Sequence, residues 1–249
     1  MPPKEDITED RLLGGRITLR QSRKGYRAGA DAALLAAAVE AAPGERVIEA
    51  GCGPGAALLQ AAVRAPETRF LGMERDPAAL ALAQANIAAA GLSAQVEAVA
   101  GDVAAGFAAL KLPAFDAAFA NPPFFDDPGS LRGPAPERTG AYIADDGLEA
   151  WTKFLLKAVR PGGRITVVHR ADRLADLLAL LGTGAGSFRI RGLHPFADAP
   201  AKRVLVRCIK TGKAPLMLLP PLVMHERDGA KHTLQVEAIL RGEAGLGWG

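Results

Sequence analysis

The sequence of 249 residues contains only two cysteines, Cys52 and Cys208. They lie far apart and neither belongs to a CxxC pair, so the pattern argues against a disulfide framework and against a cysteine-based zinc site. The sequence therefore predicts a protein of a reducing compartment that holds no metal ion.

Long apolar runs are also missing. The first fifteen residues, MPPKEDITEDRLLGG, include no apolar stretch of the kind found in signal peptides. No later segment approaches the roughly 20 apolar residues that a membrane-spanning helix requires. Because apolar residues still make up 49% of the chain, enough for a substantial core, the sequence predicts a soluble cytoplasmic protein without a membrane partner.

A strong net charge is the third absence, since the formal charge is only +3. The local distribution differs from that average. Residues 11–27 hold six basic side chains and no acidic one, and residues 202–213 hold five basic side chains and no acidic one. Such local fields bind phosphate-rich ligands, although solvated surface faces give the same pattern. The sequence does not rank the two basic segments.

From residue 46 onward, β-type and helical segments alternate. Strands are predicted at residues 46–50, 68–74, 95–99, 115–120 and 164–169, and an extended segment at 216–226. Helices are predicted at residues 30–42, 56–64, 77–90, 147–160, 171–181 and 233–241, with a turn at 161–163. The alternation predicts an α/β fold with a largely parallel sheet and helices on both faces. Two further strands, at 188–193 and 203–209, have no helix between them and predict an antiparallel finish to the sheet.

A glycine-rich turn follows the first of these strands, in the sequence VIEAGCGPG from Val47 to Gly55. Glycine allows a tight turn and a close approach of the backbone to a ligand, and ligands of open α/β sheets bind at the carboxyl ends of the strands. Gly51, Gly53 and Ala56 also fit the dinucleotide pattern G-x-G-x-x-G/A. The turn by itself therefore leaves NAD and S-adenosylmethionine open as ligands.

Three acidic residues lie near the ends of the first three strands. Glu74, about 20 residues after the turn, can accept hydrogen bonds from the ribose hydroxyls of either ligand. Asp102 is placed to reach an adenine edge. Glu49 would repel a pyrophosphate but suits the cationic methionyl end of S-adenosylmethionine, which favours that cofactor. The alternative for Glu49 and Asp102 is that they cap helices or accept amide hydrogens of loops.

The tetrapeptide Asn121-Pro122-Pro123-Phe124 directly follows the fourth strand. An exocyclic amino group conjugated to a ring is a poor nucleophile because its lone pair is delocalised. The side-chain oxygen of Asn121 and the carbonyl of Pro122 can each accept a hydrogen bond from one of its N–H groups. These bonds would hold the nitrogen in line with the sulfonium methyl group of S-adenosylmethionine. The prolines fix φ and offer no competing amide, and Phe124 can stack on a planar ring. The motif predicts methyl transfer to an amino nitrogen, whereas an Asn-Pro-Pro loop can also be a turn alone.

Together these motifs resemble class I, Rossmann-like methyltransferases that act on adenine N6 or glutamine N5, and most closely the bacterial tRNA1(Val) adenine-37-N6 methyltransferases. The resemblance also covers the lead-in QSRKGYRAGADAALLA from Gln21 to Ala36 and the segment Arg203–Val206. It implies a seven-stranded sheet whose last strand is antiparallel. Because no obvious linker divides the chain, the sequence predicts one structural domain in two parts, with residues 1–45 as a basic extension and lead-in helix and residues 46–249 as the methyltransferase domain.

The resemblance also implies ligands and site residues. The cofactor would be S-adenosylmethionine, leaving S-adenosylhomocysteine, and the substrate an adenine in tRNA; the oligomeric state is left open. The residues expected to contact the cofactor are Glu49, Gly51, Gly53, Gly55, Glu74, Asp102, Val103 and Asn121. Those expected to hold the base are Asn121, Pro122, Pro123 and Phe124. Those expected to contact RNA are Arg23, Lys24, Tyr26, Arg27, Lys202 and Arg203.

Alternative targets remain at this point. Enzymes that methylate guanine N2 of ribosomal RNA also carry Pro-Pro-Phe, but they usually have a duplicated domain. Adenine and glutamine enzymes often have tyrosine at the position of Phe124. Glutamine methyltransferases of release factors normally carry a separate N-terminal helical domain, for which the segment before residue 46 is too short. An NAD-dependent oxidoreductase rests on the glycine pattern alone, and a non-catalytic RNA-binding module would not require the tetrapeptide.

Overall fold

The computed structural model of the chain describes residues 7–23, 27–123 and 147–249. Three of the predicted site residues, Lys24, Tyr26 and Phe124, lie outside the described residues, as does most of the loop predicted after Asn121. Within the described ranges, no helix has the length and apolar character needed to cross a membrane.

The strands of the described residues form a two-stranded sheet and an eight-stranded sheet. The strands are β1 (Ile7–Leu12), β2 (Ile17–Ser22), β3 (Arg46–Ala50), β4 (Arg69–Glu74), β5 (Val96–Ala100), β6 (Phe115–Ala120), β7 (Val159–Arg170), β8 (Ala185–His194), β9 (Arg203–Lys210) and β10 (Met217–Val223). The large sheet has the order β10-β8-β9-β7-β6-β3-β4-β5. Strands β3 to β7 run parallel, β9 runs antiparallel to both β7 and β8, and β10 is parallel to β8.

Helices cover both faces of the large sheet. They are α1 (Ala30–Ala38), α2 (Ala56–Arg64), α3 (Pro77–Ala89), α4 (Leu148–Ala158), α5 (Leu174–Gly182) and α6 (Leu234–Arg241). Neighbouring residues of one strand point to opposite faces, so Val47 joins the core beneath α1 and α2 while Ile48 joins the core beneath α4 and α5. The predicted α/β class with a mostly parallel sheet is confirmed, as is the antiparallel pairing of the strand at 203–209.

The sheet differs from the expectation in having eight strands instead of seven. The segment predicted to be extended at 216–226 pairs as β10 with the edge of β8. Pro220 and Pro221 interrupt this pairing between Leu219 and Leu222. Proline lacks an amide hydrogen, and an edge strand tolerates it because one side of the strand needs no partner.

The turn predicted at 161–163 lies inside β7, and the preceding helix ends at Ala158 instead of residue 160. The pairing of β6 with β7 shifts register between Phe115 and Ala117, which accommodates the extra residues as an irregularity in a continuous strand. Gly163 is required there, because a Cβ would lie 2.8 Å from the carbonyl oxygen of Arg160. Proline and glycine therefore mark a bulge in this position and not a chain reversal.

The N-terminal segment forms a β-hairpin that the sequence analysis did not predict. Strand β2 alternates buried and exposed residues, with Ile17, Leu19 and Gln21 directed inward, and it packs against α3. The ladder places Glu9 opposite Arg20. Their side chains form an ion pair at 2.9 Å. Acidic residues of β1 thus partly neutralise the basic segment at 11–27.

Candidate active site

The parallel register brings the predicted site segments to one edge of the sheet. Ala50, the last residue of β3, pairs with Met73 on one side and with Ala120, the last residue of β6, on the other. Glu74 pairs with Ala100 at the ends of β4 and β5. The glycine turn, Glu74, the segment at 101–103 and Asn121 therefore share the carboxyl edge, where ligands of open α/β sheets bind.

The glycine turn connects β3 to α2 through three residues in the left-handed region. Gly51, Gly53 and Gly55 have φ values of 64°, 54° and 90°, which side chains rarely tolerate. A Cβ on Gly51 would also overlap the indole ring of Trp151 in α4. A Cβ on Gly53 would meet no atom of the described residues within 4 Å, so the backbone there is open to close approach by a ligand.

Glu74 braces this turn through backbone amides. Its Oε2 accepts a hydrogen bond from the amide of Gly53 at 2.8 Å, and its Oε1 accepts from the amides of Arg75 and Asp76 at 2.9 Å each. The carboxylate is half-buried at the end of β4. Each carboxylate oxygen has a second lone pair, so Glu74 can hold the turn and still accept ligand hydroxyl groups.

Glu49 is a buried carboxyl group with an orphaned oxygen. Only 3% of the residue is exposed, and within the described residues Oε2 has no hydrogen-bond partner. Burial raises the pKa of Glu49 well above its ordinary value, the amide of Leu58 opposes the shift, and the charge of Glu74 adds to it. A buried carboxyl with no counterion beside the turn is suited to a ligand that brings a positive charge.

Asp102 and Val103 follow β5 at the same edge. Asp102 is half-buried and accepts a hydrogen bond from the amide of Ala104 at 2.9 Å. Val103 is buried, and with Phe107 and Phe154 it lines a cavity of about 360 Å³ between the 102–110 loop and α4. These apolar side chains suit a flat heterocyclic ring, and the lining also includes the charged residues Glu149, Lys153 and Lys157.

The Asn121-Pro122-Pro123 segment begins directly after β6. Asn121 is half-buried, Pro122 is buried and Pro123 is exposed. Ala120 pairs with both Ala50 and Val167, so Asn121 emerges between the glycine turn and the end of β7. Phe124, the fourth residue of the predicted motif, lies outside the described residues.

Trp151, which the sequence patterns above do not single out, lies on α4 beside the glycine turn. The structure places its indole against Gly51, and it has 7% of its surface exposed. Its Nε1 donor has no hydrogen-bond partner among the described residues. The sequence signal for this residue was a tryptophan near the start of the helix that follows the Asn-Pro-Pro loop. Its contact with Gly51 is visible only in the structure, where α4 crosses the glycine turn.

One end of each basic segment lies at the carboxyl edge, whereas Lys210 lies where β7 begins, at the opposite edge. Arg27 pairs with Asp10 at 2.8 Å, and Arg203 pairs with Asp31 of α1 at 3.2 Å, only a few residues further along. Arg23 and Lys202 are exposed. Because β9 is antiparallel to β7, Arg203 starts its strand at the edge where β7 ends with Arg170. Segments far apart in sequence therefore belong to one surface.

The end of β7 adds positive charge that the sequence analysis missed. His169 is buried, and its pKa is lowered to about 4, first by burial and then by the charges of Arg173, Arg203 and Arg170. Arg170 pairs with Asp172 and Arg173 with Asp176, so acidic neighbours balance part of this charge. The remaining field still disfavours a proton on the imidazole.

Known proteins resemble this chain in sequence and structure. The model of a family described as the methyltransferase small domain matches residues 26–131. A tRNA1(Val) (adenine(37)-N6)-methyltransferase of Porphyromonas gingivalis is 31% identical over 76% of this chain and 77% of its own length. A release factor glutamine methyltransferase of Moorella thermoacetica is 33% identical over 60% of this chain and 54% of its own length. A solved structure from Agrobacterium tumefaciens, described as a predicted O-methyltransferase, is 26% identical, covers 87% of this chain and 98% of its own, and has a TM-score of 0.73.

Proposed function

Because the chain belongs to the family of tRNA1(Val) (adenine(37)-N6)-methyltransferases, we propose that it methylates the exocyclic N6 of an adenine in tRNA. The target is adenosine 37 of tRNA1(Val), and the methyl donor is S-adenosylmethionine. The observation that carries the proposal is the position of Asn121 and Pro122, directly after β6 and beside the glycine turn. A methyl donor at the turn and an amino group at Asn121 would meet at one edge of the sheet.

The residues around the turn fit the cofactor. The cofactor supplies an electrophilic methyl group on a sulfonium. Glu49 would bind the cationic methionyl end, since its buried carboxyl lacks a counterion among the described residues. Gly51, Gly53 and Gly55 would allow close backbone approach, and Glu74 would accept from the ribose hydroxyls. The remaining contacts would come from Asp102 at the adenine edge and Val103 beneath the ring, and Asn121 would contact the cofactor only beside the transferred methyl group, which S-adenosylhomocysteine lacks.

The amino group of the base needs orientation more than it needs a general base. Its nitrogen becomes strongly acidic only after it has received the methyl group, so the proton can leave late. The side-chain oxygen of Asn121 and the carbonyl of Pro122 would accept hydrogen bonds from the two N–H groups and favour a pyramidal nitrogen. Pro123 keeps the segment rigid because its φ is fixed, and Phe124 would support the ring by stacking.

The basic surface at the carboxyl edge would hold the RNA backbone. Phosphate contacts fix the orientation of a nucleic acid on a protein, and they depend on salt because binding releases counterions. Arg170 and Arg173, near the end of β7, are further candidates for this role. The other residues proposed for it are Arg23, Lys24, Tyr26, Arg27, Lys202 and Arg203.

A methylation assay with labelled S-adenosylmethionine and unmodified tRNA tests the proposal. We expect label in tRNA and N6-methyladenosine in its digested nucleosides. A tRNA1(Val) transcript with guanosine at position 37 is the matched control and should accept no label. Label recovered only as N2-methylguanosine, or only in protein, would show that the substrate assignment is wrong.

A protein glutamine target is the second candidate, because the chain is also 33% identical to a release factor glutamine methyltransferase. A glutamine amide resembles the adenine amino group in its delocalised lone pair and its two N–H bonds. A peptide with an exposed Gly-Gly-Gln sequence, offered beside tRNA in the same assay, separates the two. We expect labelling of tRNA and not of the peptide.

A further inference from the structure

Asn86 joins the cofactor turn to the N-terminal hairpin. It lies on α3 and is fully buried, with 0% of its surface exposed. Its Oδ1 accepts a hydrogen bond from the amide of Arg20 at 2.9 Å, and its Nδ2 donates to the carbonyl of Arg20 at 2.8 Å. The same Nδ2 donates to the carbonyl of Pro54 at 2.9 Å. One side-chain amide therefore contacts β2 and the glycine turn together.

The contact with Arg20 has the form of a strand pairing. Arg20 faces Glu9 in the β1–β2 ladder, while its amide and carbonyl both bond to the primary amide of Asn86. Both hydrogens of Nδ2 and the side-chain oxygen are used, so the amide orientation is fixed by its partners. Burial makes the loss of any of these bonds costly, because the remaining polar atoms have no access to water.

A second buried amide extends the connection toward the basic surface. Gln21 is 2% exposed; its Nε2 donates to Asp10 at 2.7 Å and its Oε1 accepts from the amide of Ala28 at 2.9 Å. Asp10 in turn pairs with Arg27 at 2.8 Å. A continuous hydrogen-bonded path thus leads from the carbonyl of Pro54, through Asn86 and the backbone of β2, to the residues that precede α1.

We propose that Asn86 is a positioning residue that couples cofactor binding at the glycine turn to RNA binding by Arg23 and Arg27, which follow the N-terminal hairpin. The RNA part rests on the proposed function, whereas the coupling between the turn and the hairpin does not. A ligand that restrains Pro54 also restrains β2 and Ala28 through Asn86. By thermodynamic reciprocity, RNA held by Arg23 and Arg27 then strengthens cofactor binding by the same factor.

Amide hydrogen exchange with S-adenosylhomocysteine tests the connection without RNA or turnover. In the unsubstituted protein, the ligand should slow exchange in the glycine turn and also in β2. In Asn86→Ala, protection should remain in the turn and disappear from β2. The matched control is Gln95→Ala, since the Nε2 of Gln95 donates to the carbonyls of Ala62 and Ala65 at the far end of α2. Equal ligand-induced protection of β2 in Asn86→Ala and in the control would overturn the proposal.

Gln21→Ala interrupts the same path without touching the turn, and it covers the case in which Asn86→Ala does not fold. It should leave the affinity for S-adenosylhomocysteine within about twofold, keep the protection of β2 and lose the protection of Ala28. Asn86→Gln, which keeps the amide, should restore part of the protection in β2. Ligand-induced protection of Ala28 that survives in Gln21→Ala would contradict the path.

The coupling to RNA binding is measured as the ratio of two tRNA affinities. Affinity for tRNA1(Val) is determined with and without saturating S-adenosylhomocysteine, and a coupling of about fivefold or more is expected in the unsubstituted protein. The ratio should approach one in both Asn86→Ala and Gln21→Ala and remain unchanged in Gln95→Ala. A protein that binds no tRNA refutes the proposed function but not the exchange result, whereas an unchanged ratio in both variants refutes the coupling.

Discussion

Acidic residues have different surroundings at the two ends of the parallel strands: the amino edge, where these strands begin, and the carboxyl edge, where they end. At the amino edge, Asp116 accepts hydrogen bonds from the amide of Arg46 at 2.9 Å and from Nε of Arg160 at 2.7 Å, and Glu45 pairs with Arg164. These partners lower the pKa of Asp116, with the amide of Arg46 as the largest cause. Acid and base are matched within the chain.

At the carboxyl edge, the two acidic residues beside the glycine turn have no basic partner among the described residues, in contrast to the ion-paired carboxylates further out on that surface. Glu74 is held by three backbone amides, and Glu49 keeps an orphaned oxygen with a raised pKa. A buried carboxyl without a counterion costs stability, and such sites occur where a ligand completes them. We therefore expect the acidic residues of the amino edge to stabilise the fold, and the buried carboxyl of Glu49 to cost stability that a bound ligand would offset.

The largest expected effect is that of Asn121→Ala at the carboxyl edge. Loss of one acceptor for the amino group should lower turnover by about 100-fold or more, by analogy with the removal of other transition-state hydrogen-bonding groups. The affinity for S-adenosylhomocysteine, measured by calorimetry, should change little. The matched amino-edge variant, Asp116→Asn, should retain turnover. A large loss of cofactor affinity in Asn121→Ala would contradict its assignment to the substrate.

Gly51→Ala should have the next largest effect, since it adds a Cβ both at positive φ and against the indole of Trp151. We expect a loss of about 2 to 4 kcal/mol in the free energy of unfolding, together with weaker binding of S-adenosylhomocysteine. Gly44→Ala is the control near the amino edge, because φ there is also positive but a Cβ meets no described atom within 4 Å. Equal losses in urea unfolding would show that crowding by Trp151 is irrelevant.

Glu49→Gln and Asp116→Asn should change the pH dependence of stability with opposite signs. The folded-state pKa of Glu49 is raised, so its contribution is present at low pH and is lost as the pH rises above the ordinary value of 4.5. Glu49→Gln should therefore have a larger free energy of unfolding than the unsubstituted protein at neutral pH. It should also weaken S-adenosylhomocysteine binding about tenfold, since a charge-assisted hydrogen bond is lost.

The folded-state pKa of Asp116 is lowered, so its contribution is present above 3.8 and is lost as the pH falls below that value. Asp116→Asn should cost about 1 kcal/mol at neutral pH and leave cofactor binding unchanged. Urea unfolding across a pH series measures both variants. Identical pH profiles for Glu49→Gln and Asp116→Asn would refute the contrast between the edges.

The smallest expected effect is a change in salt dependence. Arg23→Ala at the carboxyl edge should weaken tRNA binding a few-fold and lower the slope of log affinity against log salt by about one unit, as expected for one lost phosphate contact. Arg69→Ala removes the same charge from an exposed position where β4 begins, at the amino edge, and should leave the slope unchanged. Equal slopes for both variants would show that Arg23 is an ordinary solvated side chain that makes no phosphate contact.

The elements whose signals are local could be predicted from the sequence, whereas those that depend on pairing partners could not. The strand Arg46–Ala50, the helix Ala56–Arg64 and the strand Phe115–Ala120 were predicted with the bounds that the structure has. The bulge at 161–163 depends on the register of β6 against β7, and β10 depends on the free edge of β8. The hairpin was missed because its alternation is short and its acidic partners lie in a separate strand.

The sequence by itself determined the alternation of strands and helices from residue 46 onward, the glycine turn and the Asn-Pro-Pro segment, because each follows from the preferences of adjacent residues. The tertiary structure decided which of these features meet. It brought Trp151 onto Gly51, joined Arg203 to Asp31 across 172 positions and placed Asn86 between Pro54 and Arg20. Such contacts depend on how the helices pack on the sheet, and residues far apart in sequence carry no local record of that packing.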